Sequence, residues 1–432
     1  MKKPLYKYPS VWLIILFFGI MHYFTIFPYK KLEPLKGAIE YGKDTTFSIK
    51  SWLSEDYQHV KEKYINENFA FRSTFVRLHN QLQFSLFKVA FANGVIVGKD
   101  NYLYERNYIR AATGSDFIGK DSIHKKVEYM KRANRYLTDD GIKMLVVLAP
   151  GKASYFPEYI PDRFGKTGLT TNYDLFRKEL LSSGIPFIDF NSWFRSKKDT
   201  SKYPLFPKTG VHWSQYGVVL AVDSLTKVIE QLTQTDLPTM QITGIEYSDA
   251  IHNDDQDIED GMNILYKIPK FKMAYPQLKF QNEGKTKIPC VTIADSYYWQ
   301  IYGSGLAGQF FEPAQFWYYF ERCYSTGVSG DWPISGVDMR TELKKQKLVL
   351  LITTDANLSR FDYGFSEAVI KAYTDLSDPD KMNALIRNQV EIIKKTPSWL
   401  KAVETKAKQK NIPLDSMLYL DAKWVIENNA LK

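Results

Sequence analysis

The sequence predicts an α/β fold with a mainly parallel sheet and flanking helices, an N-terminal transmembrane helix and a C-terminal helical segment. The sheet is predicted because short apolar runs alternate with amphipathic stretches, and parallel strands are buried on both faces. These runs are Met144–Leu148, Pro186–Asp189, Ile288–Ile293 and Leu348–Thr353. Residues 371–432 follow a helical period alone, so we predict a helical extension packed on the core.

An apolar run near the N-terminus predicts a membrane anchor. Three lysines precede the run, which extends from Val11 to Phe27 and ends at Pro28. A spanning helix needs about 17–25 residues, so the run is long enough. No small-residue cleavage signal follows it, which favours an uncleaved signal anchor. We predict a cytoplasmic tail (residues 1–10), a single span (11–27) of the cytoplasmic membrane, and a bulk on the periplasmic side.

The elements between the anchor and the C-terminal helices follow in order. Residues 30–90 carry apolar side chains at helical spacing, and the segment from Val95 to Tyr104 is typical of a hairpin with a tight polar turn. The predicted helices of the layered part are Ser122–Leu137, Tyr173–Leu181 and Gln215–Leu232. Together with the apolar strands they predict one large domain over residues 30–370.

Charge and cysteine usage exclude several classes of function. The net charge is +9, but the basic residues are spread along the chain among 48 acidic ones. Nucleic-acid binders concentrate such charge, so we expect no nucleic-acid partner. The charge fits an ordinary basic surface or attraction to anionic polysaccharide or lipid headgroups. Cys290 and Cys323 lack metal-ligand spacing, and the sequence leaves their pairing open.

Known ligand-binding motifs point the same way. The acidic stretch from Asn253 to Gly261 fails the calcium-loop pattern, because its glycine and closing glutamate are misplaced, so we expect a solvated loop. The chain has neither a P-loop nor a dinucleotide fingerprint. We therefore predict no metal and no cofactor.

A serine follows the third apolar strand. The run from Val291 to Ala294 ends in Asp295-Ser296, with aromatic residues after it. Ligands of open α/β sheets bind beyond the carboxyl ends of strands, so the Ser296 hydroxyl is placed as a nucleophile, with backbone N–H groups near enough to stabilise an oxyanion. The alternative is that Ser296 only caps a helix.

A histidine lies before a predicted helix. His212 stands in the segment from Thr209 to Ser214, and Ser214 is a plausible N-cap of the following helix. The positive end of a helix dipole disfavours the imidazolium, and a neutral imidazole is what a general base needs. The alternative is a buried structural histidine. A serine needs an adjacent base, and only the fold can bring Ser296 and His212 together.

These segments resemble a known superfamily. Ala294-Asp295-Ser296 looks like the nucleophile block of SGNH esterases, and Gly210–Trp213 looks like their histidine block. The histidine block comes first, which is similar to the circularly permuted SGNH domain of the alginate O-acetyltransferase (AlgX/AlgJ-like) family. Further segments resemble the family in the same order: Asn68–Arg72, Val95–Tyr104 and Pro150–Glu158. The resemblance runs from about residue 55 to 370.

The resemblance implies an acetyl transfer. Ser296 would attack an acetyl donor and form an acyl-enzyme, and a hydroxyl of an extracellular or cell-surface polysaccharide would accept the acetyl group. His212 would take the serine proton and later deprotonate the acceptor. Relatives commonly depend on a membrane-bound O-acyltransferase, so the resemblance implies such a partner.

One departure from the family pattern concerns the carboxylate that orients the histidine. The family carries an aspartate two or three residues before the histidine, where this chain has Thr209 and Gly210. Three readings follow: a Ser-His dyad, a replacement by Asp189 or Asp355 at strand ends, or an inactive domain that binds glycan. Asn357 is a candidate oxyanion donor. An acetyl esterase, with water as the acceptor, is a further alternative.

Overall fold

The computed structural model describes residues 9–27, 33–37, 41–165, 169–251, 253–374 and 379–430. Most of the predicted cytoplasmic tail therefore lies outside the described residues. The chain folds into two compact units. The first consists of Met1–Arg106, Lys208–Val211 and Ile251–Phe271; the second consists of Asn107–Pro207, His212–Ala250 and Lys272–Lys432. Helices and strands are numbered along the chain.

The first unit is mainly helical. Its elements are α1 (Pro9–Ile26), α2 (Ile49–Leu53), α3 (Asp56–Asn68), α4 (Arg72–Phe87), β1 (Val95–Val97), β2 (Leu103–Glu105) and α11 (Asp257–Met262). Helix α1 is long and apolar enough to cross a membrane, and none of its residues is buried. Strands β1 and β2 pair antiparallel, which confirms the predicted hairpin.

The second unit contains the layered α/β part. Its helices before the C-terminal segment are α5 (Arg106–Thr113), α6 (Lys120–Asp139), α7 (Lys152–Tyr155), α8 (Asn172–Ser183), α9 (Phe190–Lys197), α10 (Gln215–Thr233), α12 (Trp299–Tyr302), α13 (Ala307–Phe310), α14 (Met339–Leu343) and α15 (Phe365–Tyr373). Its strands are β3 (Lys143–Ala149), β4 (Phe187–Asp189), β5 (Thr239–Ser248), β6 (Met273–Gln281), β7 (Ile288–Ala294), β8 (Phe311–Tyr318), β9 (Arg322–Ser325), β10 (Trp332–Pro333) and β11 (Leu348–Thr354).

The central sheet is mainly parallel, as the sequence predicts. Its strand order is β10-β9-β8-β7-β11-β3-β4. Strands β8, β7, β11, β3 and β4 run parallel, and β9 and β10 extend the sheet antiparallel. Every residue of β11 is buried, because helices cover both faces of the middle of such a sheet. The carboxyl ends of β7 and β11 therefore lie side by side at one edge.

The strands that the sequence did not predict are those with weaker apolar character or antiparallel partners. Strands β5 and β6 form a separate antiparallel pair, and most residues of β5 are at least partly exposed. Strand β8 begins at Phe311 directly after α13, without a break in the apolar pattern. A buried run of this kind does not distinguish strand from helix by periodicity.

The C-terminal segment is helical, as predicted. It consists of α16 (Pro379–Lys395), α17 (Pro397–Lys410) and α18 (Leu414–Ala430). Prolines begin α16 and α17, as expected from their preference for the first helical turn; Asp378, the predicted cap of α16, lies outside the described residues. Val403 belongs to a hydrophobic cluster that these helices form among themselves, against which Trp399 and Ile426 pack. The expectation that Trp424 packs inward is wrong, since this side chain is 63% exposed.

Candidate active site

Ser296 lies where the sequence predicts, directly beyond the carboxyl end of β7. It begins a short 3-10 helix, Ser296–Tyr298, which continues into α12. The side chain is half-buried, and it forms a hydrogen bond with the phenol of Tyr319. The cap of this helical turn is Asp295, whose Oδ1 accepts the N–H of Tyr297 at 3.1 Å. Ser296 is therefore not the capping residue, which removes the alternative reading of its hydroxyl.

Asp295 joins the ends of the two central strands. Its carboxylate is fully buried. Oδ2 accepts the backbone N–H and the hydroxyl of Thr354, both at 2.9 Å, and the amide of Asn357 at 2.9 Å. A buried carboxylate is stable when several donors replace its lost water. These bonds hold the Ser296 turn against the end of β11.

His212 packs beside the serine turn. Its ring centroid lies 4.9 Å from that of Tyr297, the residue after Ser296. The amide of Gln300 in α12 donates to the backbone carbonyl of Trp213 at 3.1 Å, and both residues are buried. The fold thus brings together two segments that are far apart in the sequence, as the prediction required.

The segment after His212 is fixed by the start of α10. Ser214 is the N-cap of that helix, as predicted: its Oγ accepts the N–H of Gly217 at 3.0 Å. The Ser214 hydroxyl also donates to the carbonyl of Pro204 at 2.7 Å, and its N–H donates to the carbonyl of Leu205 at 2.8 Å. The backbone leaving the histidine is therefore held on both sides of the cap.

Within the first unit, the acidic stretch contacts the residues that precede the histidine. Asp257 Oδ1 accepts the N–H of Val211 at 2.9 Å, and the N–H of Glu259 donates to the carbonyl of Thr209 at 3.2 Å. Asp255 and Glu259 are buried, so the expectation of a solvated loop is wrong. Here carboxylates bind the backbone of the histidine block, in a segment where the family motif carries its aspartate.

Glu259 is held by a buried ion pair. Its Oε2 accepts from the ammonium of Lys270, which lies within 3.3 Å of Gln256 Oε1 and 3.4 Å of Thr209 Oγ1. The N–H of Ile268 donates to Glu259 Oε1 at 2.6 Å. The charge of Glu259 is thus neutralised and hydrogen-bonded, as burial of a carboxylate requires.

Sequence reasoning missed Tyr319 and Arg360. Tyr319 follows β8, and its N–H donates to the carbonyl of Ala294 in β7 at 2.9 Å. The Arg360 guanidinium lies 4.8 Å from the centre of the Tyr319 ring and donates to Asn357 Oδ1 at 3.1 Å. Burial raises the pKa of Tyr319 to about 12. No motif marks these residues, because strand pairing alone brings them to Ser296.

The predicted helper residues occupy different environments. Asn357 donates its amide to Asp295 Oδ2 and, at 3.3 Å, to Thr354 Oγ1. Asp189 lies at the end of β4, three strands from β7 in the sheet order and hence about 14 Å away. Its carboxylate caps α9 and accepts from Tyr173 at 2.9 Å and from Arg177 at 2.7 Å.

Asp355 is buried directly after β11. Ser154 donates to its Oδ2, and the amide of Asn191 lies at 3.4 Å, a long contact. Within the described part of the chain Oδ1 has no hydrogen-bond partner, and a Cβ on Gly151 would stand 1.8 Å from it. Burial raises the pKa of Asp355 to about 6.

Neither metal ligation nor a disulfide is seen at this site. The residues that the structure describes include no group of three or more His, Cys, Asp or Glu side chains that could hold a metal ion. Cys290 and Cys323 are buried free thiols. Burial raises the pKa of both, to about 12 for Cys323, which keeps them protonated.

Sequence comparisons relate the chain to acetyltransferases. Residues 95–255 match the family model described as the SGNH hydrolase-like domain of acetyltransferase AlgX. The chain is 23% identical over 204 residues to the probable alginate O-acetylase AlgJ of Pseudomonas aeruginosa, covering 47% of this chain and 50% of that protein. It is 23% identical over 179 residues to AlgJ of Pseudomonas syringae pv. tomato, covering 41% and 44%. The chain thus spans about half the length of the curated relatives it matches.

Solved structures show a weaker likeness. The O-acetyltransferase domain of Pseudomonas putida AlgJ aligns with 14% identity and a TM-score of 0.41, covering 64% of this chain and 98% of that one. Bacillus cereus PatB1 aligns with 13% identity and a TM-score of 0.40, covering 63% and 99%. At these scores the structures add nothing to the sequence matches. By those sequence matches, the chain belongs to the AlgX/AlgJ-like family of SGNH hydrolase-like proteins.

Proposed function

We propose that the chain is an O-acetyltransferase that moves an acetyl group through Ser296 onto a hydroxyl of an extracytoplasmic polysaccharide. The observation that carries this proposal is the packing of His212 on Tyr297, with ring centroids 4.9 Å apart, directly beside Ser296 at the carboxyl end of β7. Membership of the AlgX/AlgJ-like family supports the acetyl group and the polysaccharide as the substrate class.

The chemistry proceeds in two halves. Ser296 Oγ attacks the acetyl carbonyl carbon while the His212 imidazole takes its proton. The bond from that carbon to the donor's leaving group breaks, and the imidazolium returns the proton to the leaving group. In the second half the imidazole deprotonates an acceptor hydroxyl, whose oxygen attacks the acyl-enzyme. The ester bond to Ser296 then breaks, and the serine oxygen recovers its proton from the imidazolium.

The place of the family's aspartate is the point on which the mechanism departs. Thr209 and Gly210 cannot orient an imidazole as a carboxylate does. We propose that His212 and Ser296 act as a dyad, and that hydrogen bonds to the backbone of the histidine block do the positioning. Asp257 binds the N–H of Val211, and Ser214 fixes the start of α10. We assign Asp355 and Asn357 positioning parts at the adjacent strand end, and Asp189 a part in holding α9.

The membrane setting is part of the proposal. Helix α1 would span the cytoplasmic membrane and leave both units on the periplasmic side, where the exported polysaccharide is found. An acetyl group has to cross the membrane to reach such a site. A membrane-bound O-acyltransferase is the class of partner that would supply it.

The test is acylation of the full-length protein in detergent by an acetyl p-nitrophenyl ester, followed by intact mass. We expect a gain of one acetyl group on the wild type and none on Ser296→Ala. Ser329→Ala, an exposed serine, is the matched control and should acylate like the wild type. Addition of polysaccharide should then discharge the acyl-enzyme faster than water does. Discharge by water alone would favour an esterase, and the absence of any adduct would favour a glycan-binding role.

A further inference from the structure

The phenol of Tyr319 lies at the nucleophile. Its hydroxyl and that of Ser296 are hydrogen-bonded, although the two residues follow different strands. Strands β7 and β8 pair in parallel with Ala294 opposite Tyr318, so both strands end at the same level of the sheet. The N–H of Tyr319 donates to the carbonyl of Ala294 at 2.9 Å. The position of the phenol is therefore set by the sheet and not by a free loop.

The backbone at this point is held in an unusual conformation. Tyr319 has a φ of 50° and Phe320 a φ of 58°, in the left-handed region that bulky residues rarely adopt. Turns between antiparallel strands that need this conformation normally use Asn, Asp or Gly. Aromatic residues persist in such backbone geometry where the surrounding structure imposes it, and such positions cluster at functional sites.

A cation lies over the Tyr319 ring. The guanidinium of Arg360 is 4.8 Å from the ring centre. Its Nη2 donates to the neutral Oδ1 of Asn357 at 3.1 Å, and the side chain forms no ion pair with any residue that the structure describes. A positive charge at this distance makes the phenol a stronger hydrogen-bond donor. Burial keeps that phenol neutral, with its pKa raised to about 12, so the proton stays available for donation.

The side-chain amide nearest to this point is otherwise engaged. Asn357 was the sequence-based candidate for an oxyanion donor, but both hydrogens of its amide are directed to acceptors, Asp295 Oδ2 at 2.9 Å and Thr354 Oγ1 at 3.3 Å. Releasing them would leave a buried carboxylate short of a donor. The Tyr319 hydroxyl is a side-chain donor that contacts the nucleophile itself.

We propose that Tyr319 is a catalytic residue whose O–H donates to the acyl carbonyl oxygen as Ser296 attacks, with Arg360 increasing the strength of that bond. In the resting protein the phenol is hydrogen-bonded to Ser296; during attack it turns to the oxygen on which negative charge develops. No proton is transferred, and the phenol is unchanged at the end of the step. The proposal rests on the proposed function, because it assumes that Ser296 is acylated.

The experiment compares Tyr319→Phe with wild type in full-length protein, using the acetyl p-nitrophenyl ester as the probe. We expect kcat to fall roughly 100-fold or more with little change in KM, since loss of one oxyanion donor acts on the transition state. Tyr324→Phe is the matched control: Tyr324 stands on the same hairpin, but its hydroxyl pairs with Asp331, so its kcat should stay at the wild-type value. Arg360→Met should reduce kcat about tenfold, and Arg360→Lys should restore part of the loss.

A second measurement separates an oxyanion role from a structural one. Methylboronic acid adds to a serine nucleophile as a tetrahedral anion, so Tyr319→Phe should weaken its inhibition by a factor similar to the fall in kcat. Wild-type kcat in Tyr319→Phe, or a rise in KM alone, would overturn the assignment of Tyr319 while leaving the acyl-enzyme intact. Acylation that persists in Ser296→Ala would instead remove the proposed function and this inference with it.

Discussion

Two buried aspartates stand at the ends of neighbouring strands, and they are held in opposite ways. Asp295, after β7, accepts from Tyr297, Thr354 and Asn357 at 2.9–3.1 Å. Asp355, after β11, accepts from Ser154 and, at a long 3.4 Å, from Asn191, and its pKa is raised to about 6 by burial. The same residue type at one sheet edge is therefore a satisfied anchor in one place and a poorly solvated carboxylate in the other.

The difference shows how local donors decide the role of a buried acid. Burial penalises the charged form of both carboxylates, but the donors that compensate it are not the same in number or geometry. Asp295 connects the Ser296 turn to β11 and so belongs to the framework of the candidate site. Asp355 has an oxygen against the Cα side of Gly151 and is sensitive to any change there.

The largest effect should come from removing the satisfied carboxylate. Asp295→Ala leaves the donors of Thr354 and Asn357 buried without an acceptor, so we expect the unfolding free energy to fall by about 3 kcal/mol or more. Urea unfolding measures this loss. Asp338→Ala is the control, because Asp338 is an exposed helix cap on the N–H of Thr341, worth about 1 kcal/mol. Equal losses in the two variants would contradict the anchoring role of Asp295.

An intermediate effect should follow from crowding Asp355. The Cβ of Gly151→Ala would stand 1.8 Å from Asp355 Oδ1, so side chain or backbone has to shift, and we expect a loss of about 2 kcal/mol in urea unfolding. Gly261→Ala, whose Cβ meets nothing within 4 Å, should not destabilise. Adding Asp355→Ala to Gly151→Ala should remove most of the clash term. Independent, additive losses in the double variant would show that the two residues do not interact.

The smallest effect should be the pH-dependent one. Between its ordinary pKa of 3.8 and about 6, Asp355 binds more protons in the folded than in the unfolded chain, so its contribution to the unfolding free energy falls as pH rises through that window. Asp355→Asn removes this dependence and should stabilise the protein by about 1–2 kcal/mol at pH 7. The measurement is the difference between variant and wild type from pH 4 to 7. A difference that stays constant over this range would show that Asp355 does not titrate there.

The sequence predicted the architecture more completely than the surroundings of the site. Apolar runs placed β3, β4, β7 and β11 to within one or two residues, because strands buried on both faces are continuous apolar segments. The N-cap at Ser214 was predicted, since a cap depends on residues only three positions apart. The acidic stretch at Asp255 and Glu259 was predicted to be solvated, and this was wrong, because composition does not show which charges the fold buries against partners.

Local sequence alone thus determined the alternation of strands and helices, the apolar helix α1, and the two segments that carry Ser296 and His212. The tertiary structure decided which side chains meet at the serine. Strand order places β8 on one side of β7 and β11 on the other, and only this order brings Tyr319, Asn357 and Arg360 to Ser296. The physical reason is that spacing along the chain governs helices, caps and turns, whereas sheet neighbours are selected by the packing of the whole core.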